Sequence, residues 1–408
     1  MRFSVASLNR FRFPNHHLST VFIFSLVGAV FSAPVMAEFQ YSGRLGIESR
    51  FFTVDSESQN SVLAEPEFYW ADSSDSNSFT LKLFGRWDDL DDERSHADIR
   101  EAAWLHVGND WEFRLGLSKV FWGVTESNHL VDVVNQTDLV ESPDGEQKLG
   151  QSMLQFTTIQ DWGVVDAFVL PTFRERTFPG PDGRLNGTLP INTDAATYES
   201  DKEDKHVDFA LRYSHSVSVF DLGVSWFKGT NRDPHLLAYS DANTPLELRP
   251  YYDLMQQLGV DVQATLGDWL LKLEAIARDD SQRDYGAFTA GFEYTMVGIA
   301  GSAVDLGLLS EVSRDSRNNQ APTPAEKDIF FGGRFTFNDS ASSDLLLGYS
   351  RGINEPSSYS VFAEGSRRFG NNWRTTLDAR VFNGERPEDP IYQFKDDDYI
   401  SLTLEFFY

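Results

Sequence analysis

The chain ends in the segment Asp398-Tyr399-Ile400-Ser401-Leu402-Thr403-Leu404-Glu405-Phe406-Phe407-Tyr408. Because successive side chains of a strand point to opposite faces, an extended conformation would place its apolar side chains on one face and Ser401, Thr403 and Glu405 on the other. Alternation over about ten residues is typical of a transmembrane barrel strand, which meets lipid on one face and the lumen on the other. A half-buried strand of a soluble sheet alternates in the same way, but it does not account for an aromatic residue at the end of the chain.

This final segment resembles the C-terminal strand of Gram-negative outer-membrane β-barrels. In that family the barrel assembly machinery reads a strand of this pattern that ends in Phe or a related aromatic residue. The resemblance implies that the chain lies in the cell outer membrane, in contact with its lipid and lipopolysaccharide. It also implies an assembly signal made of the outward-facing residues Leu402, Leu404, Phe406 and Tyr408.

The same alternation recurs upstream, in segments 79–86, 111–118, 207–213, 258–266 and 373–381. In the second of these, Arg114 lies between Phe113 and Leu115. An Arg or Lys on the lipid face would cost roughly 2–4 kcal/mol at the bilayer midplane, so such charges must face a water-filled lumen. The sequence therefore predicts strands with an apolar outer face and a charged inner face.

The links between the predicted strands alternate between two kinds. Short polar links, typical of periplasmic turns, lie at 72–77, 108–110, 160–161, 215–218, 267–268, 297–302, 338–343 and 370–372. Mostly longer links, typical of extracellular loops, lie at 55–64, 88–98, 121–149, 174–205, 229–252, 279–284, 314–327, 352–357 and 384–397. These links predict an all-β, transmembrane, antiparallel up-and-down β-barrel of about 18 strands, with about 16 as the alternative.

The first residues predict a secretory signal peptide. Arg2, Arg10 and Arg12 precede an apolar run from Val21 to Phe31, and Val35-Met36-Ala37 then places small or moderate residues at the two positions that a signal peptidase inspects. The run is shorter than the roughly 20 apolar residues that a membrane-spanning helix needs. We therefore expect residues 1–37 to be removed and residues 38–408 to form a single outer-membrane barrel domain, with no plug domain before its first strand.

The composition excludes several classes of protein. The 408 residues include 62 acidic and 35 basic side chains and no cysteine, for a net charge of -27. Such an acid excess argues against a nucleic-acid partner, whose phosphates require clustered Lys and Arg. The absence of cysteine excludes disulfides, a thiol catalyst and cysteine-ligated metal sites. A hydrophobic content of 41% is too high for a disordered acidic chain.

The third long link, residues 121–149, is too apolar for a solvated outer loop. In porins the third loop folds back into the barrel and forms the constriction, and this segment resembles that arrangement in order and length. The resemblance implies that acidic residues of the loop face basic residues of the inner wall. The candidates are Glu126, Asp132, Asp138 and Glu141 on the loop and Arg86, Arg114, Arg374 and Arg380 on the wall. Alternatively, the arginines pair with wall carboxylates such as Glu48, Glu274 and Glu364 and stiffen the barrel.

Two features have simpler interpretations than a catalytic or metal site. Ser127, His129 and Asp132 are the residue types of a hydrolase triad, but no glycine-flanked nucleophile turn surrounds the serine, so no enzyme activity and no catalytic residue are predicted. The acidic segments 88–93 and 396–398 have ligands for Ca²⁺ or Mg²⁺ without EF-hand spacing. A solvated surface, or a divalent-bridged contact with lipopolysaccharide phosphates, is the simpler interpretation, and no cofactor is predicted.

The width of the predicted barrel indicates its function. A ring of about 16 to 18 strands is too wide for its own side chains to fill and leaves an aqueous channel. With a charged inner face, the sequence predicts a porin-like channel for ion transport and the passive diffusion of small hydrophilic solutes. Two alternatives remain open. A hydrophobic or polymeric cargo is favoured by the inward-facing residues Phe84, Phe330 and Phe362. A closed structural or adhesive barrel is favoured by the long acidic loops, which could bind a partner. A homotrimer stays open, because a trimer interface and a lipid face are both apolar.

Overall fold

The computed structural model describes residues 38–241, 244–318, 321, 327–386 and 389–408, and the predicted signal peptide, residues 1–37, lies outside the described residues. In chain order the strands are β1 (Glu38–Phe52), β2 (Ser58–Ala71), β3 (Asn77–Asp88), β4 (Ala97–Val107), β5 (Trp111–Ser118), β6 (Gln151–Gln160), β7 (Gly163–Leu170), β8 (Thr197–Tyr198), β9 (Asp208–Val217), β10 (Phe220–Thr230), β11 (His235–Tyr239), β12 (Glu247–Tyr252), β13 (Leu254–Leu266), β14 (Trp269–Asp280), β15 (Asp284–Met296), β16 (Asp305–Asp315), β17 (Lys327–Thr336), β18 (Asp344–Gly352), β19 (Tyr359–Phe369), β20 (Trp373–Asn383) and β21 (Tyr399–Phe407). Short 3-10 helices lie in the connections, at Thr193–Ala195, Glu203–Lys205, Ile299–Gly301 and Pro390–Phe394. No helix in the described ranges has the length and apolarity needed to cross a bilayer.

All strands except β8, β11 and β12 form one closed antiparallel ring of 18 strands. The ring closes where β1 pairs with β21, in a register that sets Ile47 opposite Leu404 and Glu48 opposite Thr403. Closure leaves no unpaired edge, which a spanning sheet requires because the bilayer core offers no hydrogen bonds to the backbone. The ring confirms the predicted up-and-down barrel and its 18 strands.

The connections differ in length at the two ends of the ring. At one end, here called the turn end, ring strands are joined by short turns such as residues 108–110 and 267–268. Gly267 has φ +65°, the left-handed conformation that a two-residue hairpin turn requires. At the other end, here called the loop end, most connections are longer, and the one between β5 and β6 covers residues 119–150. Because β1 begins and β21 finishes at the turn end, the number of ring strands is even.

Several predicted connections differ from the structure at their boundaries, and two of them overlap a ring strand by at least three residues. The first long link, predicted at 55–64, is shorter because β2 begins at Ser58. Gln59 and Ser61 are polar and belong to the strand, since both are buried in a polar network inside the barrel. The turn predicted at 215–218 is shorter for the same reason, because β9 continues through polar residues to Val217. Polar residues on an inner strand face look like loop residues in a sequence.

A small three-stranded sheet in the loops was not expected from the sequence. In this sheet β11 pairs antiparallel with β12, and β12 pairs in parallel with β8. The sheet joins the connection after β7 to the connection after β10. Its strands are two to six residues long, which is too short for a period-two pattern to show in the sequence.

The final strand, β21, divides lipid-facing from lumen-facing residues as predicted. Ile400 and Leu402 are 50% and 52% exposed on the outer face, whereas Ser401 and Glu405 are 4% and 1% exposed inside the barrel. Similar outward rows of exposed apolar side chains occur on the other ring strands. A continuous apolar belt of this kind is the surface that lipid covers.

The lipid face of β21 can be tested at Leu402, near the middle of the strand. We expect Leu402→Arg to lower the free energy of unfolding by about 2–4 kcal/mol, because a charge at this depth must leave water. Equilibrium urea unfolding in lipid vesicles, followed by tryptophan fluorescence, measures the loss. Thr403→Arg is the matched control, since its side chain enters the lumen, and an equal loss in both variants would contradict the assignment of the faces.

Candidate functional site

The connection between β5 and β6, residues 119–150 and here called L3, crosses the interior of the ring. Glu141 of L3 contacts Arg86 on the inner face of β3, with 2.8 Å between Oε2 and the guanidinium. Val124 of the same loop donates its backbone N–H to Glu274 on β14 at 2.7 Å. Because β3 and β14 lie eight strands apart in a ring of 18, these contacts are on nearly opposite walls.

Burial of apolar side chains explains why this loop turns inward. Val131 and Val134 are completely buried, and Trp122 and Val133 nearly so. They form one hydrophobic cluster with the ring residues Met153, Phe168, Leu170, Ala210, Phe227, Met255, Ile276, Tyr285 and Ala287. The apolar composition of the loop therefore predicted its covered position correctly.

Two wall carboxylates hold the tip of L3. The fully buried Glu274 of β14 accepts hydrogen bonds from the backbone N–H groups of Val124, Thr125 and Val131 and from the Thr125 hydroxyl, at 2.7–3.1 Å. Glu311 of β16 accepts from the N–H groups of Glu126 and Ser127, both at 2.8 Å, and from the Ser127 hydroxyl. Hydrogen bonds to a buried carboxylate are among the stronger ones in proteins, so the tip has a fixed position on the wall.

Buried ion pairs hold the other part of L3 near the loop end. Arg86 is shared between Glu141 of L3 and Glu48 of β1. Arg94, from the connection between β3 and β4, contacts Glu48 and Asp88, each at 2.9 Å. Farther along the loop, Asp138 pairs with Arg100 of β4 at 2.6 Å. This set of ion pairs joins two loops to the wall formed by β1, β3 and β4.

Ser127, His129 and Asp132 do not assemble as a triad. The Ser127 hydroxyl donates to Glu311, His129 Nε2 lies 3.0 Å from Glu146, and Asp132 pairs with Lys148. Burial lowers the pKa of His129, but hydrogen bonds to Glu146 and Glu274 outweigh it and raise the pKa to about 10. His129 is therefore a protonated partner of carboxylates at neutral pH, rather than a base for the serine.

The eight predicted constriction residues fall into three groups. Glu126, Asp132 and Arg380 line a cavity beside L3, where Glu126 pairs with Arg334 and Arg380 with Asp144. Asp138, Glu141 and Arg86 are buried in the ion pairs that hold the loop. The remaining two lie apart from these sets. Arg374 pairs with Glu405 at the turn end, and Arg114 donates to Ser118 within its own strand.

A cavity of about 670 Å³ lies between L3 and the wall formed by β14–β20. The tip of the connection between β20 and β21 reaches its loop end, through Ile391 and Phe394. Its charged lining residues are Glu126, His129, Asp132, Asp144, Glu146, Lys148, Arg176, Arg232, Asp233, Arg278, Asp315, Arg317, Asp328, Glu364 and Arg380. Asp144 and Glu146 were not among the sequence candidates, because their stretch 143–148 is polar and looks like a solvated turn.

The turn-end half of the lumen carries charged side chains that are partly exposed. Arg44, Lys82, Glu67, Arg334 and Arg374 each leave roughly a third of their side chain uncovered. They face the lumen, since their neighbours along each strand form the apolar outer belt. This part of the lumen is therefore polar and accessible to water.

Three of the candidate metal ligands in the acidic segments bind protein groups. Asp88 pairs with Arg94, Asp91 accepts the N–H of Gly180, and Asp397 pairs with Arg184. A further group, His235, Asp253 and Asp280, places one ligand atom each within 4.8 Å of the others. The Asp253 carboxylate of this group accepts hydrogen bonds from Asn231 and Ser281.

No protein-family model matches the sequence, and no curated protein matches it. Among solved structures, OmpT, an outer membrane protein of Vibrio cholerae in a trimer form, is 11% identical, with a TM-score of 0.47 over 91% of this chain and 99% of that chain. OpdQ of Pseudomonas aeruginosa is also 11% identical, with a TM-score of 0.47 over 91% of this chain and 97% of that chain. A mutant of Rh. blastica porin is 11% identical, with a TM-score of 0.43 over 91% of this chain and 100% of that chain.

The strands and side chains of the chain show the class of its fold. Its ring of 18 strands is closed, its outer face is an apolar belt, and its inner face is charged. These properties together suit a protein that spans a membrane with strands and encloses a polar lumen. The chain folds as an antiparallel up-and-down β-barrel of 18 strands, of the type that spans a membrane.

Proposed function

We propose that the barrel is a passive channel for small hydrophilic solutes, and that L3 forms its constriction. The observation that supports this most directly is the position of L3, which crosses the lumen and leaves a charged cavity of about 670 Å³ beside it. A solute entering from the loop end passes between L3 and the β14–β20 wall before it reaches the turn-end half, whose charged side chains are partly exposed. In this proposal Glu126, Asp132 and Arg380 line the narrow part, and Arg86, Asp138 and Glu141 hold the loop in place.

The exposed charges of the cavity favour cations. Glu146 and Glu364 expose 50% and 42% of their side chains, whereas the cavity arginines are mostly covered. Arg278 and Arg317, for example, expose 8% and 11%. A passing ion therefore meets carboxylates more often than guanidinium groups, and carboxylate-lined constrictions select cations.

We expect the refolded protein without residues 1–37 to give stepwise conductance in a planar bilayer, with a reversal potential in a KCl gradient that shows cation preference. Glu146→Gln and Glu364→Gln should each reduce this preference, because each removes an exposed negative charge from the cavity. Glu112→Gln, on the inner face of β5 and outside the cavity lining, is the control. Folded, inserted protein without conductance steps would contradict the channel, and anion preference would contradict the role of the carboxylates.

The remaining functional interpretations stay predictions of the sequence. They are the assembly signal in Leu402, Leu404, Phe406 and Tyr408, the contacts with lipopolysaccharide, and the homotrimer. The proposed channel requires none of them, because the cavity and L3 belong to a single chain.

A further inference from the structure

One wall of the cavity carries four phenylalanines, Phe394, Phe382, Phe362 and Phe330, here called the aromatic row. Phe394 belongs to the connection before β21, and the other three belong to β20, β19 and β17. The rings of Phe382 and Phe394 lie 5.6 Å apart, and those of Phe330 and Phe362 lie 6.1 Å apart with planes that differ by 8°. The row therefore follows the wall from the loop end into the barrel.

The orientation of Phe362 depends on a glycine of the neighbouring strand. A Cβ atom at Gly348 of β18 would lie 2.2 Å from the Phe362 ring. Because glycine has no Cβ, the ring can lie across β18 toward Phe330, against the wall. The Arg380 guanidinium lies 5.5 Å from the ring centroid, so a planar cation already fits over this surface.

Negative charge exceeds positive charge beside the aromatic row. Arg380 contacts three carboxylates, Glu364 at 2.6 Å, Asp144 at 2.7 Å and Asp378 at 3.2 Å. On the opposite side of the cavity, Arg278 and Arg317 have Asp233 and Asp315 as direct partners. The aromatic side of the cavity therefore combines uncompensated carboxylate charge with apolar ring surface.

We propose that this cavity is a binding site for amphipathic organic cations, meaning solutes that carry a protonated amine or guanidinium next to an aromatic or aliphatic group. The inference rests on the proposed channel and narrows the class of its solutes. The ammonium group would contact Glu364 and Asp144, and the apolar group would lie along Phe362 and Phe382. A cation near an aromatic face is attracted by the ring quadrupole, and desolvation strengthens that attraction. A small inorganic cation would gain only the contact with the carboxylates, and a neutral aromatic molecule would gain only the contact with the phenylalanine rings.

Benzylammonium is the probe, because it carries both a cation and an aromatic ring. Two comparison compounds each keep one of these groups: methylammonium keeps the cation and benzyl alcohol keeps the ring. Calorimetric titration of the refolded barrel in micelles measures binding, and block of the K⁺ current in a planar bilayer measures occupancy of the pathway. We expect benzylammonium to bind and block about tenfold more tightly than methylammonium or benzyl alcohol, because each of these lacks either the ring contact or the carboxylate contact. Equal affinity for benzylammonium and methylammonium would overturn the proposal.

Two variants test the contacts. We expect Phe362→Leu and Glu364→Gln each to weaken benzylammonium binding about fivefold. Phe331→Leu is the matched control, because Phe331 is the next residue after Phe330 and faces lipid with 47% exposure. An effect of Phe331→Leu as large as that of Phe362→Leu would overturn the assignment.

The two assays also separate this inference from the channel itself. A K⁺ current without benzylammonium block or binding overturns the binding site and leaves the channel in place. Benzylammonium binding by calorimetry without any K⁺ current supports the site and overturns the channel.

Discussion

Glu274→Ala should raise the single-channel conductance of the barrel roughly twofold, because it loosens the attachment of the tip of L3 to the wall. The Glu274 carboxylate accepts four hydrogen bonds from Val124, Thr125 and Val131, and it lies in a fully buried position. Hydrogen bonds to a charged group contribute about 1.5–3 kcal/mol each, so their joint loss removes a large part of the attachment of the tip and leaves Glu311 as its remaining docking carboxylate. Single-channel recording in a planar bilayer measures the change, and the spread of open-state current should widen as well.

The matched control for this experiment is Glu67→Ala. Glu67 also faces the lumen, but it pairs with Lys82 on the neighbouring strand, at the turn end. Its removal should leave the conductance close to that of the unchanged protein. Heat-dependent mobility in gel electrophoresis establishes that each variant has folded. A folded Glu274→Ala barrel with unchanged conductance would show that L3 does not narrow the pathway; Glu311→Ala, which removes the second docking carboxylate, gives an independent check.

Arg94→Ala should lower the free energy of unfolding by about 3–5 kcal/mol, because it leaves buried carboxylates without their partner. The Arg94 side chain is 2% exposed and pairs with Glu48 and Asp88. It also donates to the Ser61 hydroxyl at 2.6 Å and to the Val140 carbonyl at 3.2 Å. Urea unfolding in micelles, followed by tryptophan fluorescence, measures the loss.

Arg368→Ala provides the comparison for Arg94, because Arg368 is an exposed residue at the turn end of β19. Its substitution should change the unfolding free energy by no more than about 0.5 kcal/mol. The loss of unfolding free energy in Arg94→Lys should lie between those of Arg94→Ala and Arg368→Ala. Lysine keeps the positive charge, but it lacks the planar group with which arginine reaches several acceptors at once. A loss in Arg94→Ala no larger than that in Arg368→Ala would mean that the ion pairs contribute little to stability.

The fold was largely predictable because each ring strand repeats a local signal. In β21, the sequence pattern indicates which face meets lipid, because Leu402 and Leu404 alternate with Ser401, Thr403 and Glu405. The pairing of β21 with β1 follows from closure of the ring. The alternation does not indicate how far along the barrel axis a residue lies, between the turn end and the loop end. Arg374 and Arg380 share the inner face of one strand, yet Arg374 lies at the turn end and Arg380 beside the cavity.

The partners of L3 were harder to predict because they are distant in the sequence. Val124 and Glu274 are 150 residues apart, and Glu126 and Arg334 are 208 apart. Composition indicated that Trp122, Val131 and Val134 must be covered, and they are. Which carboxylate receives which backbone N–H depends on the stagger of the ring strands, which no local pattern encodes. The docking roles of Glu274 and Glu311 therefore become visible only in the folded barrel.

The path of L3 also has a mechanical meaning. An empty ring of strands resists sideways compression poorly, because it can flatten toward an ellipse by small changes at every strand pair. L3 is fastened to β3 and β4 on one side and to β14, β16 and β17 on the other, so it works as a cross-brace along one diameter. We therefore expect the bonds of L3 to oppose flattening of the ring along this diameter when the membrane presses on it.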